Sequence, residues 1–136
     1  MTNIHWLGAG LSSIPGIRRI ASNKHNITVW NRNLQKAKNS IDHVNLTSAK
    51  AKKLDFQLLE SEVKKGDIVV SQLSANMHLD VAKLCLKTNS HFATTSYLSE
   101  DLIKFNDEAK SKNLIFINEI GLDPGIDHFF SHLLVD

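Results

Sequence analysis

Short apolar runs and longer stretches of helical spacing alternate along this chain. Asn3-Ile4-His5-Trp6-Leu7 reads as a first strand. Beyond it, Ile14, Ile17, Ile20 and Ala21 fall on one face of a helix. Ser12 or Ser13 can cap that helix, and Pro15 suits its first turn, where a missing N–H costs nothing. Asn23-Lys24-His25-Asn26 breaks the helix, and β-branched and aromatic Ile27-Thr28-Val29-Trp30 forms a second strand. Residues 34–41 read as helix, Val44-Asn45-Leu46 as a third strand, and residues 56–64 as another amphipathic segment. Gly66-Asp67 turns the chain into Ile68-Val69-Val70-Ser71, a run typical of a parallel strand covered on both faces. A helix over residues 76–87, a strand His91-Phe92-Ala93-Thr94-Thr95 and a helix starting at Ser99 follow. Leu114-Ile115-Phe116-Ile117-Asn118 is the last strand, and Ile126 to Val135 a last helix. Strands alternating with helices of these lengths predict one α/β domain with a largely parallel sheet. The final helix carries Phe129, Phe130, Leu133 and Leu134 without a partner for them, so residues 126–136 are expected to lead into a further, C-terminal domain.

Composition adds limits. A chain of 136 residues has one domain's length and can bury a core. No apolar run reaches membrane-spanning length, and the N-terminus lacks the basic and apolar regions of a signal peptide. Cys85 is the single cysteine, so no internal disulfide can form and a reducing cytoplasm is the expected setting. The net charge of +2 hides a lopsided distribution. Residues 1–53 hold nine Lys/Arg against Asp42 alone, whereas the rest holds seven Lys/Arg against thirteen Asp/Glu. The basic half suits polyanionic groups, or is a solvated face. A nucleic-acid surface is disfavoured, because the basic residues are not interleaved with aromatics.

The loop after the first strand is Gly8-Ala9-Gly10-Leu11-Ser12-Ser13. An apolar strand ending in Gly-x-Gly and feeding a helix offers backbone N–H groups to a phosphate. The third glycine of the usual dinucleotide fingerprint is Ser13 here. The second strand ends Trp30-Asn31-Arg32-Asn33, and no Asp or Glu occurs before Asp42. At that position a carboxylate accepts from the ribose 2′-hydroxyl of NAD, while an Arg accommodates the 2′-phosphate of NADP. Arg32 therefore favours NADP(H) over NAD(H), the alternative being a loop cation without a ligand.

Asn118 to His128, Asn-Glu-Ile-Gly-Leu-Asp-Pro-Gly-Ile-Asp-His, is a short loop after a strand with two glycines, a proline and several polar groups. It lies at a carboxyl end, on the rim where open α/β sheets bind ligands. This run resembles the saccharopine dehydrogenase (saccharopine reductase) family, as do Thr94-Thr95-Ser96-Tyr97 and the Gly-x-Gly loop followed by Pro15. The resemblance implies a Rossmann-like, doubly wound, mostly parallel sheet with helices on both faces over residues 1–136, followed by a separate substrate domain. The implied reaction interconverts saccharopine with glutamate and 2-aminoadipate 6-semialdehyde by hydride transfer at a C–N bond, in lysine metabolism. By the same resemblance Gly8, Gly10, Leu11 and Ser12 hold the pyrophosphate, Asn31 and Arg32 the adenosine ribose, and Leu54 and Asp55 the adenine side. Leu73 and Ser74 fall near the middle of the cofactor. Ser96, Tyr97, Leu122 and Asp123 are implied substrate contacts, and Asp123, Pro124 and Gly125 border the nicotinamide. The segment Ser71 to His78 departs from the family, which more often has Pro-Tyr there; His78 agrees.

Other candidates weigh less. His128 and His132 have metal-holding spacing with Asp127 nearby, but no third ligand is in view and no metal is expected. Asp123 is a candidate general base, although an Asp before Pro more commonly orients its loop. Cys85 sits in an apolar helical face and reads as packing. A small-molecule substrate is the expected partner, with no membrane, and a homodimer of the full-length protein stays open. A reductase of another amine-linked acid, such as carboxynorspermidine, and a non-catalytic nucleotide-sensing module are the rival readings.

Overall fold

The computed structural model describes residues 2–23, 25–42 and 49–135. Six strands, β1 (Asn3–Leu7), β2 (Asn26–Asn31), β3 (Ala49–Lys53), β4 (Ile68–Ser71), β5 (His91–Thr94) and β6 (Phe116–Ile117), form one sheet in the order β3-β2-β1-β4-β5-β6. All five pairings are parallel. The helices are α1 (Ile14–Ser22), α2 (Leu34–Ile41), α3 (Phe56–Glu62), α4 (His78–Thr88), α5 (Glu100–Ile103), α6 (Asn106–Ser111) and α7 (Ile126–Val135). This strand order is that of the doubly wound dinucleotide-binding fold, whose order reverses between β1 and β4.

The pleat explains the two layers, since neighbouring strand residues point to opposite faces. Leu7, Trp30, Val69 and Phe92 bury against Leu59 of α3, Val81 and Cys85 of α4 and Leu102 of α5. Their neighbours Trp6, Val29, Val70 and Ala93 bury against Ile17 and Ala21 of α1 and Ala37 of α2. Each large side chain so covered stabilises the fold by about 1.5–3 kcal/mol relative to exposure. Cys85 is fully buried and its thiol is pushed up to about 12 by burial, which suits packing and not nucleophilic work.

Three local expectations need correction. The third strand is Ala49-Lys50-Ala51-Lys52-Lys53, whereas Val44-Asn45-Leu46 lies outside the described residues. β3 is the sheet edge, where Ala49 and Ala51 pack inward while Lys52 pairs with Glu62 and lies over the Trp30 ring. Lysines on an edge discourage a further strand from adding. Neither Ser12 nor Ser13 caps α1 through its side chain. The chain enters α1 through a 3-10 turn over Leu11–Ser13, so Ser13 already has helical dihedrals (φ −81°, ψ −26°) and its hydroxyl lacks the extended backbone a capping residue needs. The last strand shrinks to Phe116–Ile117, because the Ile115 amide donates to His91 Nδ1 instead of the sheet.

A buried polar cluster ties β1 to β2 and to the turn before β4. Trp30 Nε1–H donates to His5 Nδ1 (3.2 Å), which leaves the His5 proton on Nε2, facing Asp67 Oδ2 at 3.3 Å. Asp67 also accepts from the Asn3 and Lys64 amides, each at 2.9 Å. Burial works against the charge on Asp67, but these bonds outweigh it and hold its carboxyl below the ordinary value. Burial lowers His5.

Candidate functional site

The sheet ladder continues one residue past three strands and pins the loops at their carboxyl ends. Gly8 N–H donates to Trp30 O (2.8 Å), Gln72 N–H to Leu7 O (2.8 Å) and Leu54 N–H to Asn31 O (3.0 Å). A groove of about 230 Å³ opens above them, bordered by Gly8, Gly10, Asn31, Arg32, Leu54, Leu73 and Ser74 of the expected cofactor residues. Ala9, Gln72 and Met77 complete it, and no carboxylate borders it among the described residues.

Gly8 has φ +101°, and a Cβ there would meet the Gln72 carbonyl oxygen at 2.6 Å, so both its dihedral and its neighbour demand glycine. Gly10 has ordinary extended dihedrals, and nothing lies within 4 Å of where its Cβ would be. That open side is the approach a phosphate needs. The amides of Gly10, Leu11 and Ser12 have no partner among the described residues, and Ser13 N–H turns back to Gly10 O. The close helix–strand contact that the third fingerprint glycine provides belongs here to Gly16, whose Cβ would stand 3.0 Å from the Trp6 ring. Ser13 fills its own place as a buried residue.

Asn31 braces both sides of its loop, accepting from the Ala9 amide (3.3 Å) and donating to Asn33 O (3.0 Å). Asn33 caps α2 by accepting from the Lys36 amide. Arg32, between these two fixed asparagines, is exposed and has no ion pair among the described residues. Asp55 departs from its expected place: its carboxylate caps α3 by accepting from the Leu58 amide at 2.9 Å, and it does not border the groove.

Ser96, Tyr97, Leu122 and Asp123 gather on the same rim beyond β5. The bridge to the groove is Gln72, a residue the sequence did not single out, whose Oε1 accepts from the Thr95 hydroxyl at 3.1 Å. Its position directly after the apolar run of β4 is the signal that marks it. The Tyr97 hydroxyl donates to Asp123 Oδ1 at 2.7 Å. The hydrogen bond to the carboxylate, with its negative charge, raises the phenol above its ordinary value. Asp123 thus accepts a side-chain hydrogen bond, and within the same loop Asp127 Oδ1 accepts from the Gly125 amide at 2.7 Å. Pro124 is buried, and Gly125 has φ +145°, where a Cβ would overlap the Gly121 carbonyl oxygen. Glu119 closes the other side, accepting from the Leu98 amide while its own amide donates to Ser96 O.

His78, at the start of α4, lies beneath this rim with Ser71 Oγ 2.9 Å from Nδ1 and Ser96 Oγ 2.7 Å from Nε2. Burial lowers its pKa. On α7, Phe129, Leu133 and Leu134 are 74%, 77% and 87% exposed. No three His, Cys, Asp or Glu side chains come together as a metal site among the described residues, and no described helix is long and apolar enough to cross a membrane.

A family model described as the saccharopine dehydrogenase NADP binding domain matches residues 4–117. The chain belongs to this family. Saccharopine dehydrogenase [NADP(+), L-glutamate-forming] from Pyricularia oryzae is 33% identical over 132 residues, covering 95% of this chain and 29% of that protein. The Saccharomyces cerevisiae protein of the same name is 30% identical over 135 residues, covering 98% and 30%. The apo structure of the saccharopine dehydrogenase (L-Glu forming) from S. cerevisiae superposes with a TM-score of 0.85 at 31% identity, covering 96% of this chain and 30% of that one. A 3-ketoreductase from Actinomadura kijaniata, 14% identical with a TM-score of 0.66, shares the fold alone. The chain spans about three-tenths of the length of the curated saccharopine dehydrogenases it matches. The groove fits the family's NADP: among the described residues the amides of Gly10, Leu11 and Ser12 have no partner beside the open side of Gly10, and Arg32 has no ion pair at an edge that no carboxylate borders.

Proposed function

We propose that this chain is the cofactor-binding domain of an NADP-dependent saccharopine dehydrogenase of the L-glutamate-forming type, acting in lysine metabolism in a reducing cytoplasm. Residues 126–136 lead from it into a substrate domain. The observation that carries this reading is the carboxylate-free groove with Arg32 at its edge, joined through Gln72 and Thr95 to the Ser96–Tyr97 rim. The cofactor, when bound, supplies the carrier for hydride exchange with the carbon of the C–N bond that links the glutamate and 2-aminoadipate parts of saccharopine.

The chain's residues bind and orient. The amides of Gly10, Leu11 and Ser12 take the pyrophosphate, Asn31 holds the ribose end of the loop, and Arg32 pairs with the 2′-phosphate. Leu54, Leu73 and Ser74 flank the bound molecule. Leu122, Asp123, Pro124 and Gly125 close over the nicotinamide side and help exclude water. Ser96 and Tyr97 meet the substrate, and Asp123 Oδ1 orients the Tyr97 hydroxyl by accepting its hydrogen bond. The test is amide shift mapping of the chain loaded with NADP+ as saccharopine is added. Shifts are expected at Ser96, Tyr97, Leu122 and Asp123; a titration that leaves all four unmoved contradicts the substrate assignment.

A further inference from the structure

Beneath the rim lies a chain of side-chain hydrogen bonds to which the family likeness gives no role. Ser71 Oγ is 2.9 Å from His78 Nδ1, and His78 Nε2 is 2.7 Å from Ser96 Oγ and 3.4 Å from Thr94 Oγ1. The Ser96 amide donates to Thr94 Oγ1 at 3.2 Å. Ser71 and Thr94 are fully buried and His78 is 3% exposed, while Ser96 is half-buried.

Counting partners places the protons. With the imidazole proton on Nε2, Ser71 O–H donates to Nδ1 and Nε2–H donates to Ser96 Oγ. Among the described residues the Thr94 proton is then the one left without an acceptor inside. With the proton on Nδ1, Ser71 must accept, and its own buried proton has no other acceptor among the described residues. Nε2 then offers one lone pair, which the nearer Ser96 hydroxyl fills, so Thr94 is stranded as well. One further unsatisfied buried hydroxyl favours the Nε2–H form by at least about fivefold.

In that form the Ser96 oxygen is already engaged and its proton is free to point away from His78. Its neighbours differ. The Thr95 hydroxyl donates to Gln72 Oε1 and the Tyr97 hydroxyl donates to Asp123 Oδ1. Of three consecutive hydroxyls, Ser96 is the one whose proton remains for a ligand. We propose that His78 is a positioning residue: with its proton held on Nε2 by Ser71, it presents the Ser96 hydroxyl as a hydrogen-bond donor to a carboxylate oxygen of the substrate. This rests on the reading of Ser96 as a substrate contact, and adds that the group met there must be an acceptor, not an ammonium or amide N–H.

Long-range proton–nitrogen correlation spectra of the chain labelled with 15N at histidine read the tautomer directly, with His78 assigned by the loss of its signals in His78→Gln. The expected result is a neutral ring with Nε2–H in at least about fivefold excess at neutral pH, falling about fivefold or more in Ser71→Ala. A dominant Nδ1–H form, or a tautomer indifferent to Ser71→Ala, overturns the proposal. Saccharopine is then titrated into the chain loaded with NADP+. His78→Leu and Ser96→Ala are expected to weaken it about tenfold, while His78→Gln, whose amide still donates to Ser96, stays within about threefold and NADPH affinity is unchanged throughout. If the tautomer is as stated but saccharopine binding ignores Ser96→Ala, the substrate reading fails while the proton placement stands, and the carboxylate role falls with it.

Discussion

Gly8 and Gly10 are two residues apart, yet their replacement by alanine should have opposite consequences. At Gly8 a methyl group would stand 2.6 Å from the Gln72 carbonyl oxygen and 3.0 Å from its carbon, in a backbone with φ +101°. These are backbone atoms of the neighbouring strand end, tied to Leu7 O through the Gln72 amide, so they cannot swing aside. Left-handed strain costs about 1–2 kcal/mol and overpacking about 1–3 kcal/mol, giving about 2–5 kcal/mol for Gly8→Ala. For a domain whose total stability is about 5–15 kcal/mol, that is a large share. At Gly10 the dihedrals are ordinary and the space is open, so Gly10→Ala should change stability by no more than about 0.5 kcal/mol. It places a methyl group on the side a phosphate approaches, and NADPH affinity should fall at least about tenfold. Urea unfolding at constant m-value and NADPH titration by fluorescence separate the two effects. A Gly8→Ala variant of near wild-type stability, or a Gly10→Ala variant that binds NADPH normally, would refute the reasoning.

Tyr97 is the chain's single tyrosine, so phenolate absorbance reports it alone. Ionisation breaks its bond to Asp123 and sets two negative groups side by side, so its titration midpoint should lie above that of free tyrosine and drop in Asp123→Asn; an unchanged midpoint removes the pair. Acid should weaken the fold in two stages. The pKa values of His5 and His78 are lowered by burial, so the unfolded chain takes up their protons first and stability declines as pH falls through about 6.5. The Asp67 carboxyl is held low in the folded state, so a second loss follows below about pH 4, and Asp67→Asn should flatten that second stage. Thermal melts across this range check both stages, and a melting temperature constant from pH 7 to 5 contradicts the first.

The doubly wound sheet was legible because its inner strands are rich in β-branched and aromatic residues. Ile27-Thr28-Val29-Trp30 and Ile68-Val69-Val70-Ser71 are buried on both faces and declare themselves. β3 does not, since an edge strand covered on one side needs only Ala49 and Ala51 inward and carries lysines outward. β6 was overread for the opposite reason: Ile115 and Ile117 are apolar yet exposed, so hydrophobicity outran pairing. In the site, the glycine loop and Arg32 could be read from position along the chain. Gly16 could not, because it acts through its packing on the Trp6 ring, and Gln72 is marked by its place after β4 while its partner lies 23 residues away. Asp55 and Asp123 show how a carboxylate's partner can hide in the sequence: one caps a helix away from the groove, and the other accepts a hydrogen bond from a phenol.

The central claim is that the groove takes NADP(H), with Arg32 on the 2′-phosphate. NADPH and NADH are titrated against the wild-type chain and against Arg32→Glu by fluorescence. An exposed charge-assisted pair contributes about 1–2 kcal/mol, so wild type should bind NADPH about 5–30 times more tightly than NADH. Arg32→Glu should erase or reverse that preference while leaving NADH affinity within about threefold. Equal affinity of the wild-type chain for NADPH and NADH, or a preference that survives Arg32→Glu, would contradict the account.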